Sequence, residues 1–320
     1  METDEKYMRR ALELARHGEL DASPNPMVGA VIVDRSGRII GEGWHRRCGE
    51  GHAEVNAVAS VRNKDLLKDA TMYVTLEPCS HYGKTPPCAD MIVENGIPRV
   101  VIGTLDPFAK VAGRGVAKLL DAGVEVMTGM LEEECRELNR KFMTAHGLQR
   151  PYITLKWAQS ADGFIDGHIS TPLNSMLVHK LRATHDAILI GSGTALADNP
   201  TLTTRLYAGK SPVKVVFDRR KRVTADMLMF SDGEVIVIDG GTSLAEAMHT
   251  LYNKGISSVL VEGGAQIIGS FFNDGLWDEI RVEVSPKPID GKIKAPSLPE
   301  TDIIPDIRVV DGHKIISYKR

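Results

Sequence analysis

The 320-residue chain has only four cysteines, 5% aromatic residues and no strong charge of either sign. So few cysteines over this length exclude a disulfide framework, and Cys48, Cys79, Cys88 and Cys135 are read as thiols. No apolar run approaches the roughly 18 residues of a membrane span. The opening Met-Glu-Thr-Asp-Glu-Lys lacks the basic-then-apolar pattern of a secretory signal. These absences predict a cytoplasmic protein without a membrane partner. Lys and Arg number 39 against 42 Asp and Glu, a net charge of −3, so nothing general attracts phosphate polymers or anionic lipid. With so few aromatic side chains, a basic stacking groove for nucleic acid is not expected either. Internal repeats and low-complexity tracts are also absent.

What remains is an ordinary globular composition, 42% hydrophobic and 25% charged. At about 150 residues per domain, the length suggests two domains. Apolar periodicity predicts helices over 5–17, 53–62, 88–94, 116–121 and 132–144, and strands over 28–33, 39–44, 71–76 and 100–103. The breakers Gly147 and Pro151 follow, which puts the domain boundary between 146 and 147. Beyond it, strands are expected over 152–157, 187–190, 213–218, 234–238, 258–261 and 279–284. Helical patterns at 175–183, 244–252 and 266–272 lie between some of them. Such alternation predicts two α/β domains, the second with a strand-rich C-terminal end.

The sharpest chemical signal is His52-Ala53-Glu54, followed by Pro78-Cys79 and then Cys88. Zinc takes imidazole nitrogen and thiolate sulfur, and a catalytic site keeps three protein ligands and one open position. His52 opens one expected helix. Cys88 opens another, behind Pro86 and Pro87, where helix-terminal charge favours a thiolate. Glu54 lies near enough to His52 to reach a metal-activated water without ligating the metal. That is the arrangement of zinc deaminases, in which the glutamate carries protons during attack on an aminated ring carbon. Eight residues separate Cys79 from Cys88 where nucleoside deaminases usually have two, so the insert is read as a substrate loop. Cys48 lacks a helix-start context, and Cys135 sits in a charged helix as a structural thiol.

The string from Thr75 to Cys88, Thr-Leu-Glu-Pro-Cys-Ser-His-Tyr-Gly-Lys-Thr-Pro-Pro-Cys, resembles the signature of the bifunctional deaminase–reductase family of riboflavin biosynthesis. Pro24-Asn25-Pro26-Met27-Val28-Gly29, Gly51-His52-Ala53-Glu54-Val55 and Val111-Ala112-Gly113-Arg114-Gly115 follow in the family's order. The resemblance implies a cytidine-deaminase-like, three-layer N-terminal domain acting on a diaminopyrimidinone with a phosphoribosylamino group. It also implies that His52, Cys79 and Cys88 hold Zn2+ and that Glu54 moves the proton. Asn25, His45, His81 and Lys84 match family positions near the pyrimidine and phosphoribosyl groups, and a lysine suits a phosphate. One departure is Asp106-Pro107-Phe108-Ala109, where the family often has Asp-Pro-Asn-Pro.

The second half declares less by chemistry alone. Gly191-Ser192-Gly193-Thr194 and Glu262-Gly263-Gly264 each follow a strand-like run, but neither is a true dinucleotide fingerprint, and both read equally as strand-end turns. The resemblance extends through Leu155-Lys156-Trp157-Ala158-Gln159-Ser160-Ala161-Asp162-Gly163, Leu181-Arg182-Ala183, Ala197-Asp198-Asn199-Pro200 and Leu202-Thr203-Thr204-Arg205. It implies a dihydrofolate-reductase-like domain that uses NADPH to convert a ribosyl to a ribityl group. Ala158, Thr194, Asp198 and Gly264 through Ser270 (Ala265, Gln266, Ile267, Ile268 and Gly269 between them) would line NADPH. Arg182, Leu202, Arg205 and Glu262 would contact substrate. The 166–172 segment is shorter than the family's loop. His168 stands there in place of a customary tryptophan beside the cofactor, and Arg219 replaces a common serine where it would favour the extra phosphate of NADPH.

The expected function is therefore zinc-dependent deamination of a phosphoribosylaminopyrimidine followed by NADPH-dependent reduction. Small-molecule substrates are the expected partners, and the family resemblance adds a homo-oligomer. Two rivals remain at this level: a deaminase with a non-catalytic second half, and a nucleoside or nucleic-acid deaminase. No residue declares itself as proton donor for the reduction.

Overall fold

The computed structural model describes residues 2–81, 86–107 and 113–320, and divides into two compact units, Met1–Leu148 and Gln149–Arg320. In the first unit the chain runs α1 (Glu2–Ala15), β1 (Gly29–Val33), β2 (Ile39–Trp44), α2 (Ala53–Ser60), β3 (Thr71–Leu76) and α3 (Cys88–Glu94). It continues as β4 (Arg99–Thr104), α4 (Arg114–Asp121), β5 (Glu125–Thr128), α5 (Glu132–Leu138) and α6 (Arg140–Leu148). The sheet order is β2-β1-β3-β4-β5, with β1 antiparallel to both neighbours and β3, β4 and β5 parallel.

All of β1 is buried, because the sheet is covered on both faces. Its side chains alternate between the two cores: Ala30 and Ile32 pack with residues of α2 and α3, Val31 and Val33 with residues of α1 and α5. The result is three layers. Helix α2 lies close on β2 because the strand carries glycines. A Cβ on Gly43 would come within 2.3 Å of the Ala57 nitrogen, and one on Gly41 within 2.6 Å of the Ala57 oxygen. That contact sets the position of the helix start at which His52 and Glu54 sit.

The single helix expected over 132–144 is two. Asn139 interrupts it (φ −106°), and its buried side chain leaves the helical pattern to clamp the backbone of Met27: Asn139 Oδ1 accepts from the Met27 N–H and its Nδ2 donates to the Met27 carbonyl, both at 2.8 Å. Nor does Gly147 end the second helix. An interior glycine costs only about 1 kcal/mol relative to alanine, and the helix runs on to Leu148 before Gln149 turns to φ 53°.

The second unit comprises β6 (Tyr152–Gln159), α7 (Pro172–Ala183), β7 (Ala187–Gly191), α8 (Ser192–Asp198), β8 (Val213–Asp218) and β9 (Val235–Asp239). Then follow α9 (Leu244–Asn253), β10 (Ser258–Glu262), α10 (Ala265–Asn273), β11 (Glu279–Val284), β12 (Asp306–Val310) and β13 (His313–Lys319). Its sheet order is β12-β13-β11-β6-β10-β7-β8-β9, parallel from β11 to β9 and antiparallel through β13 and β12. Three elements of this unit, α8, β12 and β13, have no counterpart in the apolar periodicity, as β5 has none in the first unit. Helix α8, over the glycine-rich stretch, is too short to show a helical period. Strand β12 is exposed along most of its length and so lacks an apolar alternation. Its hairpin signal was present in Asp311-Gly312, both at positive φ (50° and 80°) as a type I′ turn requires.

Candidate functional site

In the first unit His52 is the N-cap of α2, with extended backbone (φ −69°, ψ 167°), and Glu54 lies in the first helical turn. Cys79 follows β3, and Cys88 opens α3 behind Pro87. The two cysteines are drawn together because the Cys88 N–H donates to Cys79 Sγ at 3.2 Å. His52 Nδ1 lies 3.5 Å from Cys79 Sγ and 3.3 Å from Cys88 Sγ. Zinc bond lengths of about 2.0 Å to nitrogen and 2.3 Å to sulfur, at tetrahedral angles, put such atoms roughly 3.5 Å apart. All three ligand atoms lie within 4.8 Å of one another, so the donor set and its spacing fit one zinc ion with a position left open.

The electrostatics agree with that fit. The Cys88 thiol, and then His52, hydrogen-bond to Cys79 and hold it down to about 4, whereas Cys88, donating to that thiolate and buried, is pushed up. Its hydrogen bond to Cys79 carries His52 up to about 9. The cluster thus holds negative charge against a proton that a divalent cation would replace. Burial pushes Glu54 up to about 7, so at neutral pH its carboxyl is poised between accepting and returning a proton.

Beside the cluster, the His45 ring lies edge-on to His52, with centroids 5.5 Å apart. The Gly51 carbonyl can only accept, so His45 Nδ1–H donates to it (3.2 Å) and Nε2 accepts from Asn25 Nδ2 at 3.1 Å. This orients the Asn25 amide. Burial holds His45 below the ordinary histidine value, and it is neutral here. A depressed folded pKa leaves the stabilisation complete above the unfolded value of about 6.5, and it is lost as pH falls below that. The denaturant midpoint is expected to drop between pH 7 and 5, and to drop less in His45→Gln. Equal drops would contradict the assignment.

His81 is exposed just beyond Cys79. Lys84, Val111 and Ala112 lie outside the described residues. Glu77, within the Thr75–Cys88 string, is buried. Its carboxylate accepts from the backbone N–H groups of Asp106, Gly113, Gly115 and Val116, bracing the segment that carries Cys79 against α4. A glutamate between an apolar strand and Pro-Cys was its one sequence signal. Asn139 had none, being a polar residue within an apparently continuous helix.

In the second unit Arg182 on α7 meets Glu262 on β10 through two parallel bonds, Nε to Oε1 at 2.9 Å and Nη2 to Oε2 at 2.8 Å. Arg182 Nη1 also donates to the Thr203 carbonyl at 3.1 Å. Burial would raise Glu262, but the bonds and charge of Arg182 outweigh it and the pKa is lowered. Lys156 on β6 stands in register between Glu262 and Arg281, and burial lowers its pKa. Nothing in the local sequence around Leu155-Lys156 marks this lysine for a role, because its charged neighbours lie on other strands.

Helices α8 and α10 start at the carboxyl ends of the parallel strands β7 and β10, where open parallel sheets bind ligands. Thr194 Oγ1 accepts from the Gly264 N–H at 3.1 Å and joins the two helix starts. Gly264, the N-cap of α10, offers no side-chain cap, leaving the first N–H groups of that helix for a phosphate. That arrangement fits NADPH. Ala158 is half-buried on β6, opposite Glu283. Asp198, Arg205, His168 and Arg219 are exposed, the last with its guanidinium over the Phe217 ring at 5.5 Å. Ala265 and Gly269 are half-buried and Gln266 exposed, its carbonyl accepting from Ser270 Oγ. Ile267, Ile268 and Leu202 are corrections of a kind: their side chains are packed in apolar cores, so only their backbone can face a ligand. The short 166–172 loop is tied down, because Ser170 Oγ donates to Glu283 Oε2 (2.6 Å) while His313 Nδ1 is bonded to Glu283 Oε1 (2.8 Å).

Both sites have known counterparts. The cytidine and deoxycytidylate deaminase zinc-binding region matches residues 1–104, and the RibD C-terminal domain matches residues 151–309. The chain is 41% identical to riboflavin biosynthesis protein RibD of Bacillus amyloliquefaciens, over 92% of this chain and 87% of that one. It belongs to the RibD family. RibD of Aquifex aeolicus is 40% identical, covering 89% of this chain and 88% of its own. Two solved structures each give a TM-score of 0.91 over 99% of both chains. One is Acinetobacter baumannii RibD at 31% identity. The other is the Thermotoga maritima diaminohydroxyphosphoribosylaminopyrimidine deaminase/5-amino-6-(5-phosphoribosylamino)uracil reductase at 37%. Membership of the RibD family makes the chain a zinc deaminase and NADPH reductase of riboflavin biosynthesis, as expected. Because the match spans both halves and the Thermotoga relative is named for both activities, a deaminase with a non-catalytic second half and a nucleoside or nucleic-acid deaminase are set aside. Among the described residues no helix is long and apolar enough to cross a membrane.

Proposed function

We propose that the first unit hydrolytically deaminates a diaminohydroxyphosphoribosylaminopyrimidine and that the second reduces the ribosyl of the product to ribityl. The observation that carries the first step is the fit of His52, Cys79 and Cys88 to one zinc ion, with Glu54 buried two positions along. Zinc held there lowers the pKa of water and supplies a nucleophile at neutral pH. Glu54 accepts the proton of the attacking water and returns it to the departing amine, so that water enters and ammonia leaves. Asn25, held by His45, orients the ring, while Cys79 and Cys88 would both hold the metal as thiolates, the Cys88 proton being the one the metal displaces.

For the reduction, NADPH supplies hydride when bound. The starts of α8 and α10 receive its phosphates, and Arg205, exposed beside α7, receives the phosphate of the substrate. Lys156, half-buried and below its ordinary pKa, holds the proton that accompanies the hydride. His81 and Lys84 serve the deaminase substrate on the resemblance alone, which also supports a homo-oligomer. The test is NADPH oxidation by the purified chain given the deaminated phosphoribosylaminouracil, a substrate that bypasses the zinc site. Substrate-dependent oxidation is expected; its absence, with ammonia release intact, would leave the second unit without its assigned reaction.

A further inference from the structure

We infer that His179 is a positioning residue for the reduction: it sets Arg205 for the substrate's phosphomonoester by holding the backbone of the loop between α8 and β8. The inference rests on the reading of Arg205 as the phosphate contact. His179 lies on α7 and is 4% exposed. Its Nδ1 accepts from the N–H of Arg205 at 3.0 Å and from that of Leu206 at 3.4 Å. A ring nitrogen accepts only without a proton, so the ring is neutral with its hydrogen on Nε2. Burial, then the neighbouring charges of Arg182 and Arg205, push it down to about 4, which keeps that acceptor available at neutral pH.

One turn further along α7, Arg182 takes hold of the same loop by the Thr203 carbonyl. Helix α7 therefore supplies an acceptor for the N–H groups at 205 and 206 and a donor for the carbonyl at 203. Two more features over-determine the loop. Leu202 is kept at φ 57°, a left-handed conformation unusual for a branched side chain, with that side chain buried. The Thr204 N–H donates to Ser211 Oγ at 3.0 Å. The backbone of Arg205 is thus fixed while its side chain is exposed, and its Nη1 reaches back to Thr201 Oγ1 at 3.4 Å. An arginine on a rigid backbone loses less freedom when it takes a phosphate.

The test is steady-state NADPH oxidation by the full chain, with the phosphorylated aminouracil substrate and with the same compound lacking its phosphate. His179→Leu, which removes the acceptor, is expected to raise KM for the phosphorylated substrate about tenfold with kcat within about twofold. For the unphosphorylated compound KM stays unchanged. His179→Asn, whose Oδ1 stands near the position of Nδ1, restores the wild-type KM. A KM rise of equal size for both compounds, a loss confined to kcat, or failure of asparagine to restore KM would overturn the inference. Should the leucine variant not fold, His179→Met, similar in volume and without the ring acceptor, takes its place, and a wild-type KM for the phosphorylated substrate in that variant would overturn the inference. Arg205→Ala separates the two readings. An unchanged KM there removes the phosphate role of Arg205 itself, whereas a raised KM with a wild-type His179→Leu removes only the role of His179.

Discussion

Glu54→Gln is expected to lower ammonia release by roughly 10²- to 10⁴-fold, the range of a lost general acid–base, while zinc content stays that of the unaltered chain. Glutamine keeps the volume of a side chain that is 3% exposed, so the packing at the start of α2 persists. His52, Cys79 and Cys88 supply the metal's donors, and none of them is touched. What disappears is a carboxyl lifted by burial to about 7, able to take a proton and give it back. The side-chain amide can do neither. Ammonia release near the wild-type rate would remove Glu54 from the reaction, and loss of zinc together with activity would make it part of the metal's support instead.

The second large effect is expected in the other unit. Glu262→Ala strips the carboxylate from a guanidinium whose side chain is only 13% exposed, and breaking a buried pair from one side costs about 3–5 kcal/mol. The denaturant midpoint of the reductase transition falls accordingly, and NADPH oxidation falls with it. Replacing both partners, Arg182→Met with Glu262→Leu, leaves no unpaired charge and recovers much of the stability. It does not recover NADPH oxidation, since the Thr203 carbonyl loses its donor and Lys156 its neighbouring charge. Oxidation returning with stability would show the pair to be structural alone.

The parts of this protein that were legible in its sequence are those written in local pattern. Strands β3, β8 and β11 and helix α3 show their period within a single element, and their ends fall where their breakers predict. The zinc donors were legible because residue types and helix starts declare them together. Side chains that bind distant backbone were not legible. Asn139 divides a helix to hold Met27, Glu77 gathers N–H groups from the far side of β4, and His179 holds a loop that follows α8. Each is polar, buried and satisfied only by tertiary neighbours, so no window of sequence contains its partner. Strand β12 failed for a different reason: it is an exposed edge, and apolar alternation appears only where one face is buried.

The most direct test of the whole account follows both activities in one sample while the metal is removed by a chelator and returned in steps. Ammonia release should vanish with the metal and recover in proportion to zinc, reaching completion near one ion per chain. Oxidation of NADPH with the deaminated substrate should not change at any step. Ammonia release that survives complete removal of the metal would contradict a zinc-dependent deamination at His52, Cys79 and Cys88.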